Sequence, residues 1–169
     1  MIALKKVLVA TDFSQPSEAA LAYGRELART FGASLTLLHV VDNILTRAYG
    51  ADGMVLADQG LQLEIEKGAQ HEVDALLFDE DRQALGAVGL VLTSNSPSAA
   101  IVFYARDAAI DLIVIGTHGR RGVSHLVMGS VAEKVVRTAP CPVLTVRHPE
   151  REFVTEDTGL ARVSARTQS

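Results

Sequence analysis

The residues best suited to chemistry fall in two short stretches. One is Gly116-Thr117-His118-Gly119-Arg120-Arg121-Gly122, followed by Gly129-Ser130. A glycine at a strand end lets the backbone turn sharply and approach a ligand closely. A Gly-Ser pair opening a helix offers backbone N–H groups, a hydroxyl and the positive end of the helix dipole. Two arginines lie between these features. The combination is an anion cradle, and phosphate is the obvious anion. The second stretch is Ala10-Thr11-Asp12, where an apolar run meets a carboxylate. Neither GxxxxGK[ST] nor GxGxxG is present, so the P-loop and dinucleotide readings lack their fingerprints. The bland alternatives are glycines as ordinary turn punctuation and Arg120 and Arg121 as solvated loop charges.

Other reactive side chains point to structural roles. His118 and His125 flank the loop without a second ligand at metal spacing, which suits surface or packing histidines. His39 lies within an apolar run and reads as a core histidine with its hydrogen bonds satisfied. Cys141, between Pro140 and Pro142, reads as a small buried residue rather than a nucleophile. GxSxG is absent, and the adjacency of Ser124 and His125 makes no triad. Asp12 also suits a helix start, where the dipole favours a carboxylate. No general base with an orienting partner and no loop lysine is evident, so catalysis is at most that of a slow ATPase or phosphotransferase.

The elements that must position these residues alternate. Val7–Ala10, Leu35–Val41, Leu90–Leu92, Leu112–Ile115 and Val143–Val146 are short apolar runs, mostly continuous and rich in β-branched residues. Strands buried on both faces look like this, as in parallel sheets covered by helices. Between them the spacing predicts helices over 15–31, 60–85, 97–109 and about 130–138. Ser14 is the expected N-cap of the first, Pro16 sits in its first turn, and Gly32 is its expected C-terminal cap. Leu61, Ile65, Val73, Leu76 and Leu77 are the expected apolar stripe of the second, weakened by Gly60 and Gly68. Residues 42–59 form a long irregular connection. This order predicts an α/β three-layer fold with right-handed crossovers. In such open sheets ligands bind beyond the carboxyl ends of strands, where the strand order reverses.

Composition bounds the rest. The chain has 169 residues, 48% of them hydrophobic, with one cysteine, which excludes a disulfide framework and a multi-cysteine metal site. No apolar run approaches the roughly 18–20 residues of a membrane span. The first residues do not resemble a signal peptide, so a cytoplasmic protein is expected. The net charge of −4 argues against nucleic-acid and anionic-membrane binding. That charge is uneven. Residues 42–86 carry ten acids against Arg47, Lys67 and Arg82, whereas residues 116–149 carry Arg120, Arg121, Lys134, Arg137 and Arg147 against Glu133 alone.

The spacing G-x2-G-x9-G-[ST], filled by Gly116, Gly119, Gly129 and Ser130, resembles the ATP-binding motif of the universal stress protein family. VLVATDFS resembles that family's first strand and its aspartate, Leu38–Val41 its second strand end, and Ala139–Leu144 its approach to the fifth. The resemblance covers residues 3 to about 147. It implies an open five-stranded parallel sheet of order 3-2-1-4-5 with helices on both faces, adenine nucleotide alpha hydrolase-like, over residues 1–148. Residues 149–169 are then a C-terminal extension, flexible or dimer-wrapping. It further implies ATP with Mg2+ or Mn2+ as the ligand. Backbone at Thr11 and Val40 would hold adenine, beside Ala10, and Asp12 would lie near the ribose or the metal–phosphate assembly. The Gly116-Thr117 turn, Gly119, Arg120, Gly129, Ser130 and Val131 would surround the phosphates. The implied role is a stress-response or signalling adaptor with an unknown protein partner. The resemblance also implies a homodimer through the last strand, Val143–Val146, which would otherwise be a bare sheet edge. Where the family has Gly-x-Pro after its third strand, this chain has Asn95-Ser96-Pro97. Asn tolerates a left-handed backbone, so the turn is expected to survive. A fold that binds no nucleotide is the remaining alternative.

Overall fold

The apolar runs form strands, and helices bury the three central ones from both sides. The computed structural model describes residues 3–47, 59–117 and 128–147. In chain order these form β1 (Lys6–Thr11), α1 (Gln15–Phe31), β2 (Ser34–Val41), α2 (Ile44–Arg47), α3 (Gln59–Ala75), α4 (Asp79–Leu85), β3 (Val88–Thr93), α5 (Pro97–Asp107), β4 (Leu112–Gly116), α6 (Ser130–Thr138) and β5 (Val143–Val146). The strands make one sheet of order β3-β2-β1-β4-β5. Every pairing in it is parallel. The expected order and the three layers are therefore observed.

Strand alternation sorts the core into two halves. Val7, Val9, Leu35 and Leu37 face α1, α3 and α4, packing with Ala20, Leu21, Val73, Leu77 and Leu85. Leu8, Ala10, Leu38, Ile113 and Ile115 face α5 and α6, packing with Ile101, Val102, Ala105, Ala132 and Val135. α1 begins and ends where its sequence signals lie. Pro16 occupies the first turn, and Gly32 ends the helix in the left-handed region at φ 64°. There the N–H of Ala33 donates to the carbonyl of Ala28 at 2.9 Å.

Two expectations need correction. The single helix over 60–85 is two helices, with Leu76–Phe78 outside both. Asp79, Glu80 and Asp81 crowd the first turn of α4, where the dipole favours carboxylates. That run of acids is a helix-start signal in its own right. The apolar stripe is also rotated. α3 buries Gln62, Ala69 and Val73, while Leu61 and Ile65 are exposed. Gln62 takes the inner position because its amide finds partners there, described below. The connection over 42–59 also contains regular structure, the short helix α2, whose Leu45 and Thr46 N–H groups donate to Asn43 Oδ1.

Candidate functional site

β1 is the strand at which the order reverses, with β2 on one side and β4 on the other. Its end is built around a polar turn. Asp12 Oδ1 accepts the N–H of Ser14 at 3.2 Å and also the Ser14 hydroxyl. A carboxylate bonding to the backbone two residues on closes an Asx turn. Ser14 is the N-cap residue of α1, with extended backbone, but its hydroxyl does not cap the helix. The expected N-cap position is thus observed, while the side chain turns back to Asp12. The Ser14 carbonyl instead accepts the N–H groups of Ser17 and Glu18, both at 2.9 Å.

Thr11 is buried, and its hydroxyl points to the α1 side. The Phe13 N–H donates to Thr11 Oγ1 at 3.0 Å, and Thr11 Oγ1 lies 3.1 Å from Ser17 Oγ. Ser17 Oγ spends its proton on the Ser14 carbonyl, at 2.8 Å, so Thr11 is the donor of that pair. Only the backbone of Thr11 is therefore presented toward the α5–α6 side, where Ala10 lies. His39 Nδ1 is 2.8 Å from the Thr11 carbonyl oxygen, and the residue is half-buried rather than part of the core. It stands opposite Thr11 in the β1–β2 ladder.

The end of β4 lies directly alongside, Ala10 pairing with Ile115. Gly116 follows, and an added Cβ there would stand 2.8 Å from the backbone of Pro16. Its missing side chain thus makes room for the start of α1. Thr117 ties three elements together. Its N–H donates to the Val146 carbonyl at 2.8 Å, and its carbonyl accepts the Gly129 N–H at 2.6 Å. The Gly129 amide is therefore committed within the protein. Gly129 is the N-cap of α6 at φ −59° and ψ 145°, a backbone any residue can adopt. The first intrahelical bond runs from Glu133 N–H to the Gly129 carbonyl at 2.9 Å. The amides of Ser130 and Val131 thus have no carbonyl of their own helix to meet.

Ala10, Val40, Met128 and Val131 all belong to the apolar cluster on the α5–α6 face. The described candidates Ala10, Thr11, Asp12, Gly116, Thr117, Gly129, Ser130 and Val131 are consequently gathered at the carboxyl ends of β1 and β4, with Val40 near the end of β2. Gly119 and Arg120 lie outside the described residues, as do His118, Arg121, Ser124 and His125. Cys141 is half-buried, and burial pushes its thiol up from its ordinary value. Among the described residues no group of three or more His, Cys, Asp or Glu could hold a metal unaided. Among them, too, no helix is long and apolar enough to cross a membrane.

Sequence reasoning missed Gln62, Phe13 and Met128, and it gave Asn95 a different part. Among the described non-glycine residues only Phe13 and Ala109 have positive φ, so Asn95 is not left-handed as anticipated. Its side chain acts instead, accepting the Asn43 N–H at 3.0 Å and donating to Thr46 Oγ1. Gln62 accepts the Ile44 N–H at 3.0 Å and donates to the Asp42 carbonyl and to Glu66. The two amides pin the segment after β2 to α3 and to the turn after β3. Phe13 and Met128 complete the set. A glutamine inside a stripe of leucines was a readable signal; a left-handed phenylalanine was not.

The chain matches the model of the universal stress protein family over residues 3–147. It is 31% identical over 159 residues to the universal stress protein MJ0531 of Methanocaldococcus jannaschii, covering 88% of this chain and 85% of that one. Among solved structures, it is similar to the universal stress protein UspA of Lactobacillus plantarum, at 28% identity and a TM-score of 0.69, over 87% of this chain and all of that one. It shares the fold of a universal stress protein in complex with cAMP, at 23% identity and a TM-score of 0.56, over 86% of this chain and 98% of that one. The same holds for one from Archaeoglobus fulgidus in complex with dAMP, at 24% identity and 0.51, over 86% and 99%. With its strand order, its turn at Asp12 and its helix opening at Gly129, the chain belongs to the universal stress protein family.

Proposed function

We propose that this protein binds ATP, with Mg2+ or Mn2+, at the carboxyl ends of β1 and β4, and acts as a cytoplasmic, homodimeric stress-response or signalling adaptor for a protein partner. The observation that carries this reading is the bond between the Thr117 carbonyl and the Gly129 N–H, which draws the N-terminus of α6 to the switch point beside Asp12. The residues fit the ligand. Ala10, Val40 and Val131 offer an apolar wall to a base, and the Thr11 backbone offers polar edges. The Ser130 and Val131 amides and the Ser130 hydroxyl face phosphate chemistry, aided by Gly116, Thr117, Gly119 and Arg120. Asp12 supplies a carboxylate, and Mg2+ is commonly held by one or two carboxylates together with substrate phosphates. The complexes of related proteins with cAMP and dAMP support an adenine nucleotide. Residues 1–148 form the domain in this reading, and 149–169 its extension.

The test is titration of full-length protein and of Gly129→Val with Mg-ATP. The Gly129 backbone admits valine without strain, so the variant should fold while its side chain crowds the phosphate position. Binding weakened by about tenfold or more, the equivalent of one good charge-assisted hydrogen bond, is expected. Equal affinity for both proteins would refute the site.

A further inference from the structure

Asp12 is flanked by two residues that touch the same histidine. The carbonyl of Thr11 can only accept, so His39 carries its proton on Nδ1 and donates across 2.8 Å. On the other side of Asp12, the Phe13 ring packs against the His39 ring, with centroids 4.4 Å apart and the planes at 42°. Phe13 is held at φ 64°, a left-handed backbone that bulky residues rarely adopt. Such a conformation persists only where its surroundings over-determine it. Here they do so at three points: the Phe13 N–H on Thr11 Oγ1, the Phe13 ring on His39, and the Ser14 N–H on Asp12 Oδ1.

The β1–β4 pairing ends at Ala10 with Ile115, so β1 loses that neighbour just as it approaches Asp12. His39 lies on the α1 side with Leu35 and Leu37, behind the face that carries Ala10 and Val40. It therefore acts from behind the sheet. We propose that His39 is a positioning residue for the nucleotide site. By donating to the Thr11 carbonyl, with the Phe13 ring packed beside it, His39 fixes the intervening Asp12 in its turn chiefly through that hydrogen bond, and it touches no ligand itself. This rests on the nucleotide reading above.

Two variants of the full chain separate hydrogen bonding from packing. His39→Leu keeps bulk and removes the donor; His39→Asn keeps an N–H donor near the position of Nδ1. Mg-ATP affinity should fall about tenfold in His39→Leu and stay within about threefold of wild type in His39→Asn, as expected for one donated bond. Amide exchange at Phe13 and Ser14 should quicken in the leucine variant and not in the asparagine variant. Wild-type affinity in a folded His39→Leu protein, or equal losses in both variants, would overturn the proposal. Should wild type itself bind no Mg-ATP, the nucleotide reading falls, and unchanged exchange in His39→Leu would then overturn the positioning role separately. Should His39→Leu not fold, the Nδ1-bound proton of wild type decides by NMR. Protection from solvent exchange supports the role, and exchange as fast as in free histidine refutes it.

Discussion

An alanine at Gly116 would put its Cβ 2.8 Å from the carbonyl carbon and oxygen of Pro16, backbone atoms that cannot swing aside. Overpacking of this kind typically costs about 1–3 kcal/mol, so Gly116→Ala should lose stability in that range by chemical denaturation, with or without nucleotide. An unchanged midpoint and slope would show that α1 can retreat freely. The motif glycines thus differ in kind: Gly116 serves the packing of α1, whereas Gly129 has an ordinary backbone that does not require glycine. At this scale much was legible in the sequence. Asp12, Gly116, Thr117, Gly129 and Ser130 announced themselves by type and spacing. Phe13 did not, because nothing in an aromatic side chain advertises positive φ. The partner of the Ser14 hydroxyl was equally hidden, since helix capping and an Asx turn draw on the same short polar residues.

Between α1 and α4 the joint is ionic. Asp81 is fully buried, and its Oδ2 accepts Arg25 Nε at 2.9 Å and the Phe78 N–H at 3.1 Å. Arg29 Nη2 stands 3.6 Å from the other oxygen. The Arg25 guanidinium also lies 5.0 Å from the centre of the Phe78 ring and donates to the Leu76 carbonyl. Removing one partner of a buried pair strands the other, at a cost of about 3–5 kcal/mol. Asp81→Ala should therefore destabilise the protein by about 3 kcal/mol in urea unfolding, and a loss below about 1 kcal/mol would mean that water reaches Arg25 readily. A second pair works at the surface between α3 and α4. The hydrogen bond from Arg82, at 2.9 Å, holds the Asp74 carboxyl below its ordinary value, outweighing the opposing effect of burial, with smaller help from Gln70. Its small contribution is present above the usual carboxylate range and is lost as pH falls through the lowered value. The division of 60–85 into two helices belongs to this joint. Periodicity alone reads through Leu76–Phe78, while the partner that draws α4 onto α1 sits on another helix.

Over the whole molecule, β5 is an edge strand. In the parallel ladder the carbonyls of Pro142 and Val146 point to β4, accepting from Ile113 at 3.0 Å and Thr117 at 2.8 Å. Alternation then turns the backbone groups of Val143 and Thr145 outward. The proposed homodimer uses that row. Thr145→Pro removes an outward N–H and leaves the β4 ladder intact. The variant should keep its fold by circular dichroism and elute as a monomer; a variant that stays dimeric would move the interface elsewhere. Val146 also accepts from Thr117, so β5 lies next to the turn that leads to the Gly129 cap.

The sequence by itself determined the three layers, the strand runs, the limits of α1 and α6, and the spacing of the phosphate-type motif. All of these are local: burial on both faces, helix caps and motif spacing are written within a few neighbouring residues. Only the tertiary structure decided which residues stand behind the site. His39 reaches Thr11 across 28 positions, Asn95 reaches Asn43 across 52, and Arg25 reaches Asp81 across 56. Those bonds exist because the sheet order sets distant segments side by side. A polar side chain chooses its partner from what the assembled sheet and helices bring within about 3 Å, and no local pattern encodes that choice.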